Sequence, residues 1–447
     1  MTSGEENPAS VQSPLVTSTA LFTDQYELTM LSAALRDGSA SRRSAFEVFA
    51  RRLPDGRRYG VVAGTGRFLD ALTRFRFGES ELSSLAVFLD EVTLEWLRDY
   101  RFSGDIDGYR EGDLYFPGSP ILSVRGTFAE CVILETLALS IFNHDSAVAS
   151  AAARMVGASA GRPLIEMGSR RAHEEAAVAS SRAAYIAGFA ATSNLEAVRR
   201  HGIPGAGTSA HAFTLLHTTA AGPDEAAAFR SQIDALGVGT TLLVDTYDIT
   251  DGVATAVSVA GPELGGVRID SGDLGVLARQ VREQLNALGA ENTKIVVSGD
   301  LDEYAIASLR AEPVDTYGVG TSVVTGSGSP TAGMVYKLVE VDDIPVAKRS
   351  SHKESRGGRK RAFRVSRHTG TIVEELVQGA DDTPPTTAEH LVRELSIPLV
   401  RGGDQVPELP TLSDARTLVA DGLRSLPWEG LGLSQGDPAV PTVFSAR

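Results

Sequence analysis

Between residues 163 and 320 the chain alternates short β-branched runs with longer Ala-rich stretches that repeat on a helical period. The runs fall at 163–167, 205–208, 241–245, 266–270, 294–299 and 316–320. Between them lie segments such as 273–288, where Leu277, Val281, Leu285 and Leu288 share one face, and 303–309. Parallel neighbours in a sheet need a crossover of about a dozen residues or more, usually a helix. This spacing therefore predicts an α/β fold, a parallel sheet covered by helices. Ligands of such sheets collect at the carboxyl ends of the strands, so the residues after each run are the candidates for chemistry.

Those residues are chemically rich. After 163–167 come Gly168, Ser169, Arg170 and Arg171; after 205–208 come Ser209 and His211. A histidine at a strand end is most often a hydrogen-bonded core or loop residue. Neutral imidazole is also a nucleophile towards phosphorus, and beside an anion site His211 reads as a phosphate carrier. Asp245 and Asp270 end buried runs, where an unpaired charge is costly. With Asp248 and Asp300 they form a sparse carboxylate rim, suited to Mg2+ carrying a substrate pyrophosphate. Asp273 and Asp302 read as helix caps.

Arg170, Arg171 and Arg268 supply the basic side, as forks that fit a carboxylate or phosphate, although a surface ion pair is an arginine's usual fate. Gly299 lies on the same rim. The last run leads into Gly318-Val319-Gly320-Thr321-Ser322. Most bare Gly-x-Gly pairs are tight turns, but at this place backbone amides can cradle a phosphate. No Gly-Lys-Ser/Thr loop, zincin helix or nucleophile elbow is present.

The bulk numbers narrow the partners. A net charge of -15 over 447 residues argues against nucleic acid, so an anionic substrate must be held by local arginines. The one cysteine, Cys131, excludes an intrachain disulfide framework and suits a reducing compartment. No signal peptide is read in the first residues, and no apolar stretch is expected to reach the ~18 residues that span a bilayer. A soluble, cytoplasmic protein with no membrane partner is the expectation.

Along the chain, residues 1–18 read as a disordered tail and 19–130 as an α+β domain. Its first helix is capped by Asp24, with Glu27 reaching back. Residues 131–335 read as the α/β catalytic domain, entered through one long helical stretch over 130–158. Residues 336–447 read as a segment that packs on the N-terminal domain, with strands at 335–341, 362–365 and 372–376. The run 348–364, with eight Lys/Arg against one Glu, reads as a solvated loop.

With these pieces in place the chain resembles the nicotinate phosphoribosyltransferase family over nearly its whole length. The matching motifs are Thr23-Asp24-Gln25-Tyr26-Glu27-Leu28-Thr29-Met30, Glu166-Met167-Gly168-Ser169-Arg170-Arg171-Ala172, and residues 207–213, 267–274 and 317–325. The resemblance implies an irregular, incomplete α/β barrel beside a domain built from both chain ends, working as a homodimer with a shared active site. The implied reaction joins nicotinate and phosphoribosyl pyrophosphate into nicotinate mononucleotide and pyrophosphate, with Mg2+, coupled to ATP hydrolysis through a phosphohistidine.

By position, His211 matches the phosphorylated histidine and Tyr26 an aromatic that stacks on the pyridine from the neighbouring subunit. Arg170 falls on the pocket arginine, Thr208 and Arg268 on base-site residues, and Thr321 on a phosphoribosyl-pyrophosphate contact. Met167 departs from the pattern, standing where relatives often carry Phe; a thioether can replace the stacking contact. Thr192-Ser193-Asn194 is neutral where nicotinamide-using relatives carry an Asp, which favours a carboxylate substrate. The rival readings are the same fold using nicotinamide or quinolinate, and a non-catalytic sensor of phosphorylated sugars.

Overall fold

The computed structural model describes residues 18–348 and 356–445. Apart from Ser18, the tail expected over 1–18 lies outside them, as do residues 349–355 of the basic run.

The alternating region forms a six-stranded parallel sheet. Its order is Thr241–Leu243, Gly266–Ile269, Lys294–Ser298, Thr316–Val319, Leu164–Glu166 and Ala191–Thr192. The last strand in sequence, Thr316–Val319, pairs with the first, Leu164–Glu166. That return to the start is the cyclic order of a barrel. The seam lies between Gly205 and Thr241. Here the structure corrects the expected strand at 205–208, which is reduced to one parallel bridge from Thr192 to Gly205. Pro204 lacks an N–H, and Gly205 and Gly207 bring no side chain to pack, so the run does not hold a ladder. The segment before His211 is therefore a loop.

Of the expected face of the segment 273–288, Val281 and Leu285 are buried, Leu277 is half-buried, and Leu288 lies past the helix end and is exposed. Leu274–Ala287 buries Ala278, Val281 and Leu285, and Asp273 caps it by accepting from Val276 N. Asp302 caps Glu303–Ser308 in the same way. Asp248, expected on the rim, is also a cap: it accepts from Asp251 N at the start of Ile249–Ala260.

A second sheet has seven strands, antiparallel throughout. Its centre is Arg43–Ala50, Leu122–Thr127 and Asp105–Tyr109. Met334–Val341 and Ile344–Pro345 flank one side, and Ser396–Arg401 and Asp404–Gln405 the other. Lys360–Ser366 belongs to a separate four-stranded sheet. The expected solvated loop thus ends in a strand, whose Lys360, Arg361 and Arg364 pair with Glu47, Glu394 and Glu375.

The helical stretch expected over 130–158 is two helices, Phe128–Val132 and Glu135–Ala158. The break is chemical: Thr136 N donates to the Glu27 carboxylate instead of a carbonyl one turn back. Glu135–Ala158 joins the two lobes. Leu137, Ile141 and Phe142 enter the core under the antiparallel sheet, and Val148, Ala152 and Met155 enter the core of the parallel one. Contrary to expectation, an apolar stretch does exceed ~18 residues: 128–158 is long and apolar enough to span a bilayer. In this fold it is a mostly buried core element.

Candidate active site

The carboxyl ends of Thr241–Leu243 and Gly266–Ile269 bring Asp245 and Asp270 together. Asp270 N donates to Asp245 Oδ2 at 2.8 Å, and Ser271 Oγ donates to the same oxygen at 3.0 Å. The other oxygen, Asp245 Oδ1, is buried and has no hydrogen-bond partner. It lies 4.0 Å from His211 Nε2, and Asp270 Oδ2 lies 3.9 Å from the same nitrogen. The imidazole is held from behind by Thr246 Oγ1, 3.1 Å from Nδ1. Its side chain is 40% exposed, against 2% for Asp245. One face of the ring edge is fixed while the other meets two carboxylates and solvent.

Arg268 completes this group. Its Nε donates to Ser298 Oγ at 2.9 Å, its Nη2 to Asp270 Oδ1 at 2.9 Å and its Nη1 to the Ser209 carbonyl at 3.3 Å. Ser298 also donates to Asp270. Burial opposes the charge on Asp270, but the bonds from Ser298 and Arg268, with the charges of Arg268 and His211, outweigh it and hold its pKa below the ordinary range. Gly299 adopts φ +107, and a Cβ there would sit 2.5 Å from the Asp270 carbonyl, so the backbone approach behind Asp270 requires glycine.

The remaining candidates are spread around this centre. His211 opens the helix His211–Leu216, and Thr208 and Ser209 precede it in the loop. Gly318 lies inside Thr316–Val319, and the space its missing side chain leaves is taken by Met167, whose sulfur lies 2.8 Å from where a Cβ would be. Gly318 therefore makes room for Met167. Gly320 precedes Thr321, which is exposed and opens the four-residue helix Thr321–Val324. Arg170 and Arg171 sit on the turn Ser169–Arg171, exposed, with neither guanidinium paired among the described residues. Asp300 is exposed at φ +29.

Tyr26 is the outlier. It stands in the first turn of Gln25–Asp37, beside Glu27 and facing Glu135, and it makes no hydrogen bond or ring contact with the rim among the described residues. Its side chain is exposed, as are those of Leu21, Phe22 and Met30 near it in the sequence.

Sequence reasoning gave no role to Thr246 and Ser298 of this centre, nor to Glu166 on the neighbouring strand Leu164–Glu166. The hydroxyls give no periodic signal. Glu166 does give one, since it is a charged residue ending a buried run, as Asp245 and Asp270 are.

The fold and this geometry meet independent comparisons. Residues 21–143 match the model for the nicotinate phosphoribosyltransferase (NAPRTase) N-terminal domain. Nicotinate phosphoribosyltransferase pncB1 of Mycobacterium tuberculosis is 69% identical over 425 residues, 94% of each chain. The nicotinate phosphoribosyltransferase of Bacillus subtilis is 37% identical over 78% of this chain and 73% of its own. The crystal structure of human nicotinic acid phosphoribosyltransferase superposes with a TM-score of 0.82 at 28% identity, covering 95% of this chain and 97% of the human one. The chain belongs to the nicotinate phosphoribosyltransferase family.

Proposed function

We propose that this chain transfers a phosphoribosyl group from phosphoribosyl pyrophosphate to nicotinate, giving nicotinate mononucleotide and pyrophosphate in the service of NAD synthesis. The observation that carries the reading is the convergence of Asp245 Oδ1 and Asp270 Oδ2 on His211 Nε2, with Arg268 bracing Asp270. In this reaction the pyridine nitrogen attacks the anomeric carbon of the ribose as the bond to pyrophosphate breaks. The nucleophile carries its own lone pair, so the site needs position and charge more than a strong base. That matches a rim of aspartates and arginines.

The unpartnered Asp245 Oδ1 and the Asp270 oxygen left over from Arg268 are suited to Mg2+. Two carboxylates leave most positions of such an ion to substrate oxygens and water. When bound, Mg2+ supplies positive charge to the departing pyrophosphate. In this reading Thr321 and Gly320 take the substrate phosphate, Gly318 serves the site by making room for Met167, and Gly299 by letting the backbone pass behind Asp270. Arg170 pairs with the nicotinate carboxylate, with Arg171 beside it. Thr208, Ser209 and Met167 line the base, and the neutral Ser193 spares the carboxylate a repulsion.

Coupling to ATP goes through His211. A ring nitrogen takes the terminal phosphoryl group, ADP leaves, and water later cleaves the P–N bond to release phosphate. The added charge beside the two aspartates gathers the metal and the substrate pyrophosphate, and its loss favours product release. Tyr26 acts on a neighbouring subunit's pyridine in a homodimer, and the small charged substrates fit a cytoplasmic setting. Pyrophosphate release from nicotinate and phosphoribosyl pyrophosphate, followed with and without ATP, tests the whole reading. Release that depends on nicotinate and is accelerated by ATP is expected. Release equally well supported by nicotinamide, or none with nicotinate at any ATP level, overturns it.

A further inference from the structure

Glu166 ends the strand Leu164–Glu166 with its side chain fully buried. Its hydrogen-bond partners are all uncharged. One oxygen accepts from Gly168 N, the other from Ser181 Oγ at 2.7 Å and Thr192 Oγ1 at 2.6 Å. A buried carboxylate bears a large desolvation cost, and neither aliphatic packing nor a salt bridge accounts for it here. Two of these bonds, from Gly168 N and Thr192 Oγ1, tie the turn that carries Arg170 to the loop that carries Ser193, and the third, from Ser181, anchors the carboxylate to the helix Glu174–Ala187.

The connections close into a ring. Glu166 holds Gly168 N, and the next residue, Ser169, accepts from Asn194 Nδ2 at 3.0 Å. Asn194 N in turn donates to Thr192 Oγ1 at 3.0 Å, and Thr192 Oγ1 returns to Glu166. The Glu166 carbonyl accepts from Ser193 N at 2.8 Å. The turn lies close against its neighbours, since a Cβ at Gly168 would be 2.2 Å from Val324 Cγ1 and 2.9 Å from the Gly320 carbonyl, so only glycine fits there. A carboxylate suits the hub because it accepts on both sides. An amide with its oxygen kept on Gly168 N–H would turn its NH2 towards the two hydroxyls, which would then accept from residue 166 and redirect their protons to the Ala177 carbonyl and to Ser181 Oγ, so the Ser181 and Thr192 links are reversed and the carboxylate's charge is lost.

We propose that Glu166 is a positioning residue for base selectivity. It fixes the separation between the Arg170 turn and the Ser193 loop, so that the pocket closes on a pyridine carboxylate and not on the amide. The inference rests on the reading that Arg170 and Ser193 face the base.

Steady-state kinetics on Glu166→Gln, Thr192→Val, Thr192→Ser and Arg170→Gln, with nicotinate and nicotinamide as alternative substrates and melting temperatures alongside, test it. Glu166→Gln and Thr192→Val are expected to raise KM for nicotinate about tenfold and to lower the nicotinate-to-nicotinamide ratio of kcat/KM by a similar factor. KM for phosphoribosyl pyrophosphate should stay within about twofold. Thr192→Ser keeps the hydroxyl and should restore the wild-type ratio. If Glu166→Gln does not fold, Thr192→Val carries the test, because it removes the hydroxyl that links Glu166 to Asn194 N with little change in volume. Equal rises in KM for both substrates, or an unchanged ratio, reduce Glu166 to a structural role. If Arg170→Gln leaves KM for nicotinate unchanged, the base-site reading fails first and takes this inference with it.

Discussion

At His211 the decisive contrast is between the two ring nitrogens. Nδ1 is engaged by Thr246, whereas Nε2 looks across about 4 Å to two carboxylates. A charge-neutral neighbour on one side and an anionic pair on the other give a phosphorylated ring a defined place to put its negative charge, provided a cation sits between. His211→Asn removes the nucleophile and keeps the remainder of the pocket. It should abolish ATP hydrolysis and leave a slow, ATP-independent transfer, read by phosphate and pyrophosphate release in parallel. ATP hydrolysis in step with nicotinate turnover in that variant would end the carrier role. Asp270 stays charged through the physiological range, because its depressed pKa means ionisation is lost only as pH falls below the usual aspartate value. Asp245, Asp270 and Arg268 were legible in the sequence because each ends or lies in a β-branched run, whereas His211 stood out through a glycine-rich run, 205–208, that forms no strand. Thr246 and Ser298 were not legible, because hydroxyls acquire meaning only through the partners that tertiary structure gives them.

At the scale of elements, the strands that bury both faces were the readable ones. Runs such as 266–270 and 294–299 are too apolar and too short for anything else in this alternation, and they match strands Gly266–Ile269 and Lys294–Ser298. Ala191–Thr192 was invisible because two residues carry no period. The run 205–208 failed in the opposite sense, being glycine-rich and followed by a loop. The break at Ile133 and Leu134 was hidden because it depends on Glu27, more than a hundred residues away. Glu27 is itself testable. It accepts from Asp24 N and from Thr136 N and Oγ1, joining the starts of Gln25–Asp37 and Glu135–Ala158, while Oε2 has no partner.

Burial, only partly offset by these bonds, pushes the Glu27 pKa up to about 7 from an ordinary 4.5. The folded state then binds more protons than the unfolded one across that interval. Stability should be greatest below the ordinary value and fall as pH rises through about 7, by roughly 3 kcal/mol at most. Denaturant unfolding of wild type and Glu27→Gln from pH 5 to 8 should show a decline in the first that is flattened in the second. Parallel curves would mean that Glu27 does not titrate in this range.

At the scale of the molecule, Tyr26 and the rim belong to different lobes, and Leu21, Phe22, Tyr26 and Met30 are each exposed to solvent. In a shared-site homodimer, Tyr26→Ala and His211→Ala are defects in complementary halves of one pocket. Mixing the two inactive proteins should recover part of the activity once subunits exchange, as an activity assay on the mixture would show. Demonstrated exchange without recovery would place Tyr26 outside the site. The seven-stranded sheet bears on a different stage of the protein's life. Its three central strands lie between Arg43 and Thr127, but the strands that cover its edges begin at Met334 and Ser396. As the chain leaves the ribosome, once Thr127 has completed the central strands, the outer edge of Arg43–Ala50 stays open until Met334, about 207 residues later, and that of Asp105–Tyr109 until Ser396, about 269 later, a delay that follows from strand pairing alone. A message cut short before Met334 would therefore yield a sheet with two uncovered edges, and its product would gather into aggregates rather than into a smaller enzyme.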